Sequence, residues 1–362
     1  MKSNRIFSAL IGGGLVSALL LAGCQVSEAN VTATTAPTLE ASSQGVAEQT
    51  GTSLPPAKAE PVELIRLEGP AAEKRAELSG LATNGTSIWL LPQYPERFEA
   101  DSNGAIFTVT SNQVVEAVAN QSALTPQAVA FDDGGLSKSV AGFDGFEAMA
   151  VCGRDVYVTI EVRGQPEPAG YLVRGALTEE DGAVALDPAS LTPLPAPVKL
   201  DNHSYEADFC TPDNVVALYE ANGRKVNAHH AVLVFDRDLN PMGSKAFPPL
   251  EYRVTDATQP DQQGNFWVMN YFFTGDKQKL KPEPDAWIAP SGQSVAAGVE
   301  RLIKLHWSPE TGIQLTDKQP LWLQKSDQER NWEGAVVVGD EGILLVTDSF
   351  PQTLLGFVRF TR

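Results

Sequence analysis

Five short stretches of this chain repeat one pattern, and a repeat of this kind leaves few folds open. They read "LSGLATNGTSIWLLPQ" from Leu78, "FEAMAVCGRDVYVTIE" from Phe146, "YEADFCTPDNVVALYE" from Tyr205, "TDATQPDQQGNFWVMN" from Thr255 and "WEGAVVVGDEGILLVTD" from Trp332. Each is an apolar run, a turn and a second apolar run rich in Val, Leu, Tyr or Trp, which is the signature of a β-hairpin. The second residues of the copies are Ser79, Glu147, Glu206, Asp256 and Glu333, and the last are Gln93, Glu161, Glu220, Asn270 and Asp348. Their separation is 14 positions in the first four copies and 15 in the fifth, where "GDEG" lengthens the turn. All ten positions carry a side-chain oxygen among mostly apolar neighbours. Scattered surface acids would not keep that register.

Helical periodicity is nearly absent from 61 to 362. An all-β chain with one hairpin every 50 to 77 residues suggests a β-propeller. Five blades are expected, or six if one of the long intervals, Ser79 to Glu147 or Asp256 to Glu333, holds a degenerate copy. The strand "VELIRLEG" at 62–69 is placed to close the ring by joining the last blade, whose outer strand is "TLLGFVRF" at 353–360. With 43% hydrophobic residues among 362, one large domain over 61–362 can bury a sizeable core.

Antiparallel pairing sets the first oxygen of each copy across from the second, at the open end of its hairpin. If the first strands line a channel, Ser79, Glu147, Glu206, Asp256 and Glu333 meet at its mouth, with Glu161, Glu220 and Asp348 in a row behind. Carboxylates ~4–6 Å apart repel by several kcal/mol at intermediate dielectric, so something must compensate. Calcium is a strong candidate, because it takes about six to eight oxygen ligands in irregular geometry. Nearby arginines (Arg154, Arg163, Arg224, Arg253 and Arg330) are its competitor.

The segments "ELSGLA", "GFEAMAV", "SYEADFC" and "NWEGAVVV…LLVTDSFPQTLLGFVRF" resemble the phytase-like family, described as having esterase-like activity of phytase. The resemblance runs over roughly residues 75 to 362 and is strongest at the C-terminus. It implies a propeller and hydrolysis of phosphate or other esters. A more distant similarity is to the calcium-activated apyrases, five-bladed propellers whose channel calcium is held by a Ser/Glu set. That likeness implies Ser79, Glu147, Glu206 and Glu333 as metal ligands, with Asp256 replacing a serine. The fourth motif departs from the phytase-like pattern: it ends "MNYFF", with Asn270 and Tyr271 where an acid followed by arginine is usual.

No G-x-S-x-G elbow, P-loop, H-E-x-x-H or C-x-x-C pair occurs, so metal-assisted hydrolysis is the mechanism such a ring would support. Glu161, Glu220 or Asp348 would accept a proton from water. Arg330 and Arg224 are candidate anion binders, and His203, three residues before Glu206, is a candidate ligand-binding residue. The alternative is a non-catalytic propeller, locked by calcium, whose loop face binds a ligand or protein partner. The proline-rich stretch 274–299 reads as a lid over the mouth or a surface loop.

The first 23 residues, a basic start followed by an apolar stretch, are of signal-peptide type. "LAGC" resembles a bacterial lipoprotein signal, with Cys24 as the lipidated first residue of the mature chain. Gln25 stands where an aspartate would signal inner-membrane retention, so an envelope protein anchored in the outer membrane is expected where one exists. Residues 25–60, rich in Ser, Thr, Ala and Pro, read as a disordered tether. Loss of Lys2 and Arg5 takes the formal charge from −18 to −20, which disfavours nucleic acid as a partner; a small ester or phosphoester substrate is what the phytase-like resemblance implies, and the membrane what the lipoprotein resemblance implies. Cys152 and Cys210 remain, as a bridge or as two buried thiols.

Overall fold

The computed structural model describes residues 57–99, 104–164, 167–178, 182–284, 287–350 and 352–360. The signal segment, Cys24 and all but the end of the tether lie outside the described residues. Two short strands, β1 (Ala59–Glu60) and β2 (Glu63–Ile65), lead into five largely antiparallel strand groups, the first two joined into one nine-stranded sheet by a parallel pairing of Val184 with Phe131. The first blade is β3 (Leu78–Thr83), β4 (Ser87–Pro92), β5 (Gly104–Thr110) and β6 (Gln127–Asp132). The second is β7 (Phe143–Cys152), β8 (Asp155–Val162) and β9 (Gly170–Leu177), with β10 (Val184–Leu186) and β11 (Thr192–Leu194) both pairing to β9. The third is β12 (Ala207–Cys210), β13 (Val215–Leu218), β14 (Ala231–Phe235) and β15 (Pro241–Ala246). The fourth is β16 (Arg253–Ala257), β17 (Asn265–Phe272) and β18 (Val299–Ser308), flanked by β19 (Gly312–Leu315) and β20 (Leu321–Leu323). The fifth is β21 (Trp332–Val338), β22 (Gly342–Thr347) and β23 (Leu355–Arg359).

The fold is an all-β propeller. Strands β3, β7, β12, β16 and β21 each pack against the next, and β21 returns to β3, so the inner strands close a ring. As the sequence pattern indicated, β2 completes the last blade by pairing with β23, Leu64 opposite Gly356. The other N-terminal strand, β1, is a correction. Ala59 and Glu60 fall within the segment read as tether, yet they pair in parallel with Trp322 and Leu323 of β20.

Apolar side chains fill the spaces between blades. Phe107 and Leu90 meet Val336 and Phe357. Trp89 and Phe131 meet Phe146 and Val158. Tyr157 and Leu172 meet Tyr219 and Cys210. Phe209 meets Phe266 and Trp307, and Met269 meets Trp332 and Ile343. The alternation of each strand supplies these side chains to both faces of its blade, which is why every blade reads as nearly continuous apolar sequence.

One longer helix departs from the all-strand expectation. Helix α1 (Ser111–Asn120) follows β5, with Thr110 as N-cap accepting from the Gln113 N–H and the Gln113 side chain returning to the Thr110 N–H. This capping box starts a helix whose buried Val114, Ala117 and Val118 recur at helical spacing. The interval from Ser79 to Glu147 is therefore long because of a helix and connections, with every described strand in it belonging to the first two blades. The insertion at 274–299 is anchored rather than free: Leu280 is buried and Trp287 lies over the Arg301 guanidinium at 4.7 Å.

Cys152 and Cys210 form a disulfide joining the ends of β7 and β12 across 58 residues of sequence. A Cys152→Ser, Cys210→Ser variant is expected to lose roughly 2–4 kcal/mol in urea denaturation, chiefly through a freer unfolded chain. An unchanged midpoint would show the bridge to be energetically idle.

Candidate functional site

The hairpins do not pair as the plain index sum implies. In the first blade Leu78 faces Pro92 and Gly80 faces Leu91, so Ser79 is an unpaired bulge residue. In the fifth, Trp332 faces Thr347 and Gly334 faces Val346, which leaves Glu333 unpaired in the same way. In the second blade Glu161 sits opposite Gly145, and the register shifts around Glu147 and Ala148. A bulge re-aims its side chain and bends the strand, and here it turns the front residue towards the channel.

The fourth blade corrects the sequence alignment by one residue. Val254 faces Asn270 and Asp256 faces Met269, so the bulge residue is Thr255. Its partner confirms the equivalence. The Ser79 hydroxyl donates to the Phe146 carbonyl at 2.6 Å, and the Thr255 hydroxyl donates to the Trp332 carbonyl at 2.6 Å. Each acceptor is the residue just before the front acid of the next blade. The true front set is thus Ser79, Glu147, Glu206, Thr255 and Glu333.

Asp256, expected in that set, has moved one step down the channel. It occupies the register at which the other blades carry Gly80, Ala148, Ala207 and Gly334. Those residues are small because the backbones approach closely there; a Cβ on Gly80 would lie 3.0 Å from the Glu147 carbonyl. The Asp256 carboxylate uses the resulting space. It accepts from the N–H groups of Ala257 and Ala335, both at 2.7 Å, and from that of Leu81. It is a plug that ties three inner strands together. Asn270 is also structural: its amide donates to the Glu251 and Arg253 carbonyls, and its oxygen accepts from Arg301.

What enters the mouth instead is Arg253, opposite Tyr271 in the register of the fourth blade. Its guanidinium binds both oxygens of Glu206, at 2.8 and 2.6 Å, pairs with Glu220 and lies 3.5 Å from Glu333. This outcome, an arginine bridging two blades to a third, was the competitor of calcium in the sequence.

A cavity of about 180 Å³ at the mouth is lined by six carboxyl groups, Glu77, Glu147, Glu161, Glu206, Glu333 and Asp348, and by two guanidinium groups, Arg163 and Arg253. Ser79, Gln93, Asn202 and Asn331 complete its polar wall, the Gln93 amide donating to Glu147 at 2.9 Å. Burial, reinforced by mutual repulsion, pushes Glu147, Glu161, Glu206, Glu333 and Asp348 up. Glu161 rises to about 7 through burial and the Glu206 charge, and Glu206 to about 8 through burial that Arg253 only partly offsets. Glu147 and Glu333 stand well above the ordinary carboxylate range for the same first reason. Asp348 is raised by burial too, although it accepts from the Phe350 N–H at 2.7 Å.

Other sequence-selected residues lie elsewhere. Glu220 is fully buried behind Arg253, accepting from the Ser204 N–H at 2.8 Å, so it does not face the cavity. Arg330 is not at the mouth: it is buried against Glu300 at 2.6 Å and stacks over Trp332. Arg224 stands 3.6 Å from Glu251, also away from the cavity. His203 lines a neighbouring cavity that shares Glu161, Arg163 and Asn202 with the mouth.

The donor chemistry at the mouth, all oxygen and in excess of positive charge, fits a hard divalent cation. Among the described residues, no three His, Cys, Asp or Glu side chains converge on one ligating point, so no coordination geometry is assigned. No protein-family model matches the chain, and no curated protein matches it. Solved structures with a similar course include a silkworm (Bombyx mori) GH32 beta-fructofuranosidase, 12% identical with a TM-score of 0.42, covering 82% of this chain and 61% of its own. A glycosyl hydrolase from Bacteroides ovatus is 11% identical with a TM-score of 0.44, covering 80% of this chain and 85% of its own. A putative glucose dehydrogenase from Thermus thermophilus is 10% identical with a TM-score of 0.43, covering 82% and 100%. The chain spans less than two thirds of the silkworm enzyme.

Proposed function

We propose that the channel mouth is a divalent-cation-dependent site for hydrolysis of phosphate or other esters of small molecules, in a protein held at the bacterial cell envelope by a lipid on Cys24. The observation that carries this is the imbalance of six carboxyl groups against two guanidinium groups around one small cavity. Calcium is the cation best suited, with Ser79, Glu147, Glu206 and Glu333 to hold it. Bound there, it would supply positive charge to polarise an ester oxygen. Glu161, ionised about half the time near neutrality, accepts a proton from the attacking water, and Asp348 flanks the same space. Arg253 fixes Glu206 in place and adds positive charge where an oxyanion would develop. The ester class and the anchor rest on the sequence resemblances alone.

A second reading has its own support. Arg253 already links the third, fourth and fifth blades, which favours a ring locked by this arginine together with a bound cation and used for binding without turnover. Release of phosphate and of carboxylate from ester panels by the full chain, with calcium and with chelator, separates the two. Turnover that needs calcium is expected, and Glu161→Gln should lower kcat by ~100-fold or more without lowering the melting temperature. No turnover on either class, with a large drop in melting temperature on chelation, supports the locked ring instead. A Glu147→Gln, Glu333→Gln variant should lose its chelator sensitivity under either reading.

A further inference from the structure

At the closed ends of the hairpins, opposite the mouth, turns of the second, third and fourth blades surround a cavity of about 970 Å³. Cys152 and Cys210 are both among its lining residues, so the disulfide forms part of its wall. The two sulfurs stand in different surroundings. Cys152, at the end of β7, is half-buried, whereas Cys210 is only 4% exposed. The Gln259 amide donates to Cys210 Sγ at 3.6 Å, while its oxygen accepts from the Cys210 N–H at 3.2 Å. Arg237, in the same wall, donates to the carbonyls of Cys152 at 3.1 Å and of Thr211 at 2.9 Å, so its guanidinium spans both ends of the bridge. Asp155, at 2.6 Å, balances part of that charge, which leaves the Gln259 amide as the directed contact. Burial alone keeps a thiol protonated. A donor at the sulfur and a cation nearby favour the thiolate, and a more stable thiolate is expelled faster from a disulfide.

We infer that Cys152–Cys210 is an exchangeable disulfide, opened by a protein dithiol that reaches it through this cavity. A partner thiolate attacks Cys152 Sγ, the S–S bond breaks, and its electron pair leaves on Cys210 Sγ beside the Gln259 amide. The partner's second thiolate then attacks the partner's own sulfur in the mixed disulfide and expels Cys152. The two protons lost by the partner's thiols end on Cys152 and Cys210. Two electrons have passed to the bridge, and the dithiol departs as a disulfide. Opening removes the covalent tie between the inner strands β7 and β12 and leaves their blades joined by apolar contact. The inference does not depend on the reading of the mouth.

The test is where a monothiol lands. The folded, oxidised full chain is given glutathione, free thiols are trapped with N-ethylmaleimide, and peptide mass spectrometry reads Cys152 and Cys210 apart from Cys24. Glutathione should be found on Cys152 and the maleimide on Cys210. Gln259→Glu keeps an acceptor for the Cys210 N–H but sets a negative charge at Sγ, and it should slow opening about tenfold. In urea, where the site is dissolved, parent and variant should open at equal rates and glutathione should divide between the two cysteines. A bridge that opens only in urea, glutathione on Cys210 of the folded protein, or a folded-state rate unchanged in Gln259→Glu would overturn the assignment. If that variant does not fold, the position of glutathione in the parent decides.

Discussion

The cation-free protein is expected to become less stable as the pH rises from about 5 to about 8, and added calcium should abolish most of that slope. The direction follows from the raised acids. Glu161 and Glu206 titrate at about 7 and about 8 in the folded protein and Glu147 and Glu333 also lie well above the ordinary range, whereas all four titrate near 4.5 when unfolded. Between those limits the folded state holds more protons, so stability falls with pH and levels off once the folded groups have ionised. The shifts of Glu161 and Glu206, about 2.5 and about 3.5 pH units, correspond to at most ~3–5 kcal/mol each, and coupling among the four carboxyls keeps the total below simple addition. A fall in melting temperature of ~10 °C across this window is the expected scale. A bound divalent cation favours the ionised acids and so reverses their shift. Differential scanning calorimetry in calcium and in chelator, from pH 5 to 8.5, measures both. A rise in stability with pH in chelator would mean that the mouth acids are not a strained set.

Much of this was legible in the sequence, and each departure has a definite physical cause. The repeat, the closing strand at 63–65 and the convergence of Ser79, Glu147, Glu206 and Glu333 follow from alternation and spacing, which depend on pairing alone. Bulges break that counting. In the fourth copy the bulge falls on Thr255, so an alignment that sought an acid selected Asp256, one register too deep. Because side chains alternate, one residue of error moves a group to another environment altogether. A signal was present: the other copies carry Gly or Ala just after the front residue, and Asp256 sits where that small residue belongs. Arg330 and Arg224 were chosen for nearness in sequence. Their buried or acidic partners, Glu300 and Glu251, come from strands and loops that no local pattern names. Helix α1 was missed because ten residues held by a capping box contribute little to a hydrophobic pattern measured over the whole chain.

Removing the charge of Arg253 is expected to be among the most destabilising single changes in the domain. Arg253→Met keeps an unbranched apolar stem but leaves Glu206 and Glu220, both buried, without their shared guanidinium. Breaking a buried ion pair by deleting one partner typically costs ~3–5 kcal/mol, because the remaining charge is desolvated without compensation. The loss should be largest at about pH 8. It should shrink towards pH 5, where protonation of the two glutamates removes the charge that Arg253 offsets. Arg253→Lys should fall between, since an ammonium restores the charge but not the fork that grips both oxygens of Glu206. Calcium should recover more stability in Arg253→Met than in the parent, because the variant offers it one more unpaired carboxylate, Glu206. Urea denaturation at the two pH values, with and without calcium, decides the matter. A variant as stable as the parent at pH 8 would show that the mouth acids are neutral there and that Arg253 is not their counter-ion. A variant destabilised equally at both pH values would point to lost packing instead, and would remove the electrostatic case for a cation at this mouth.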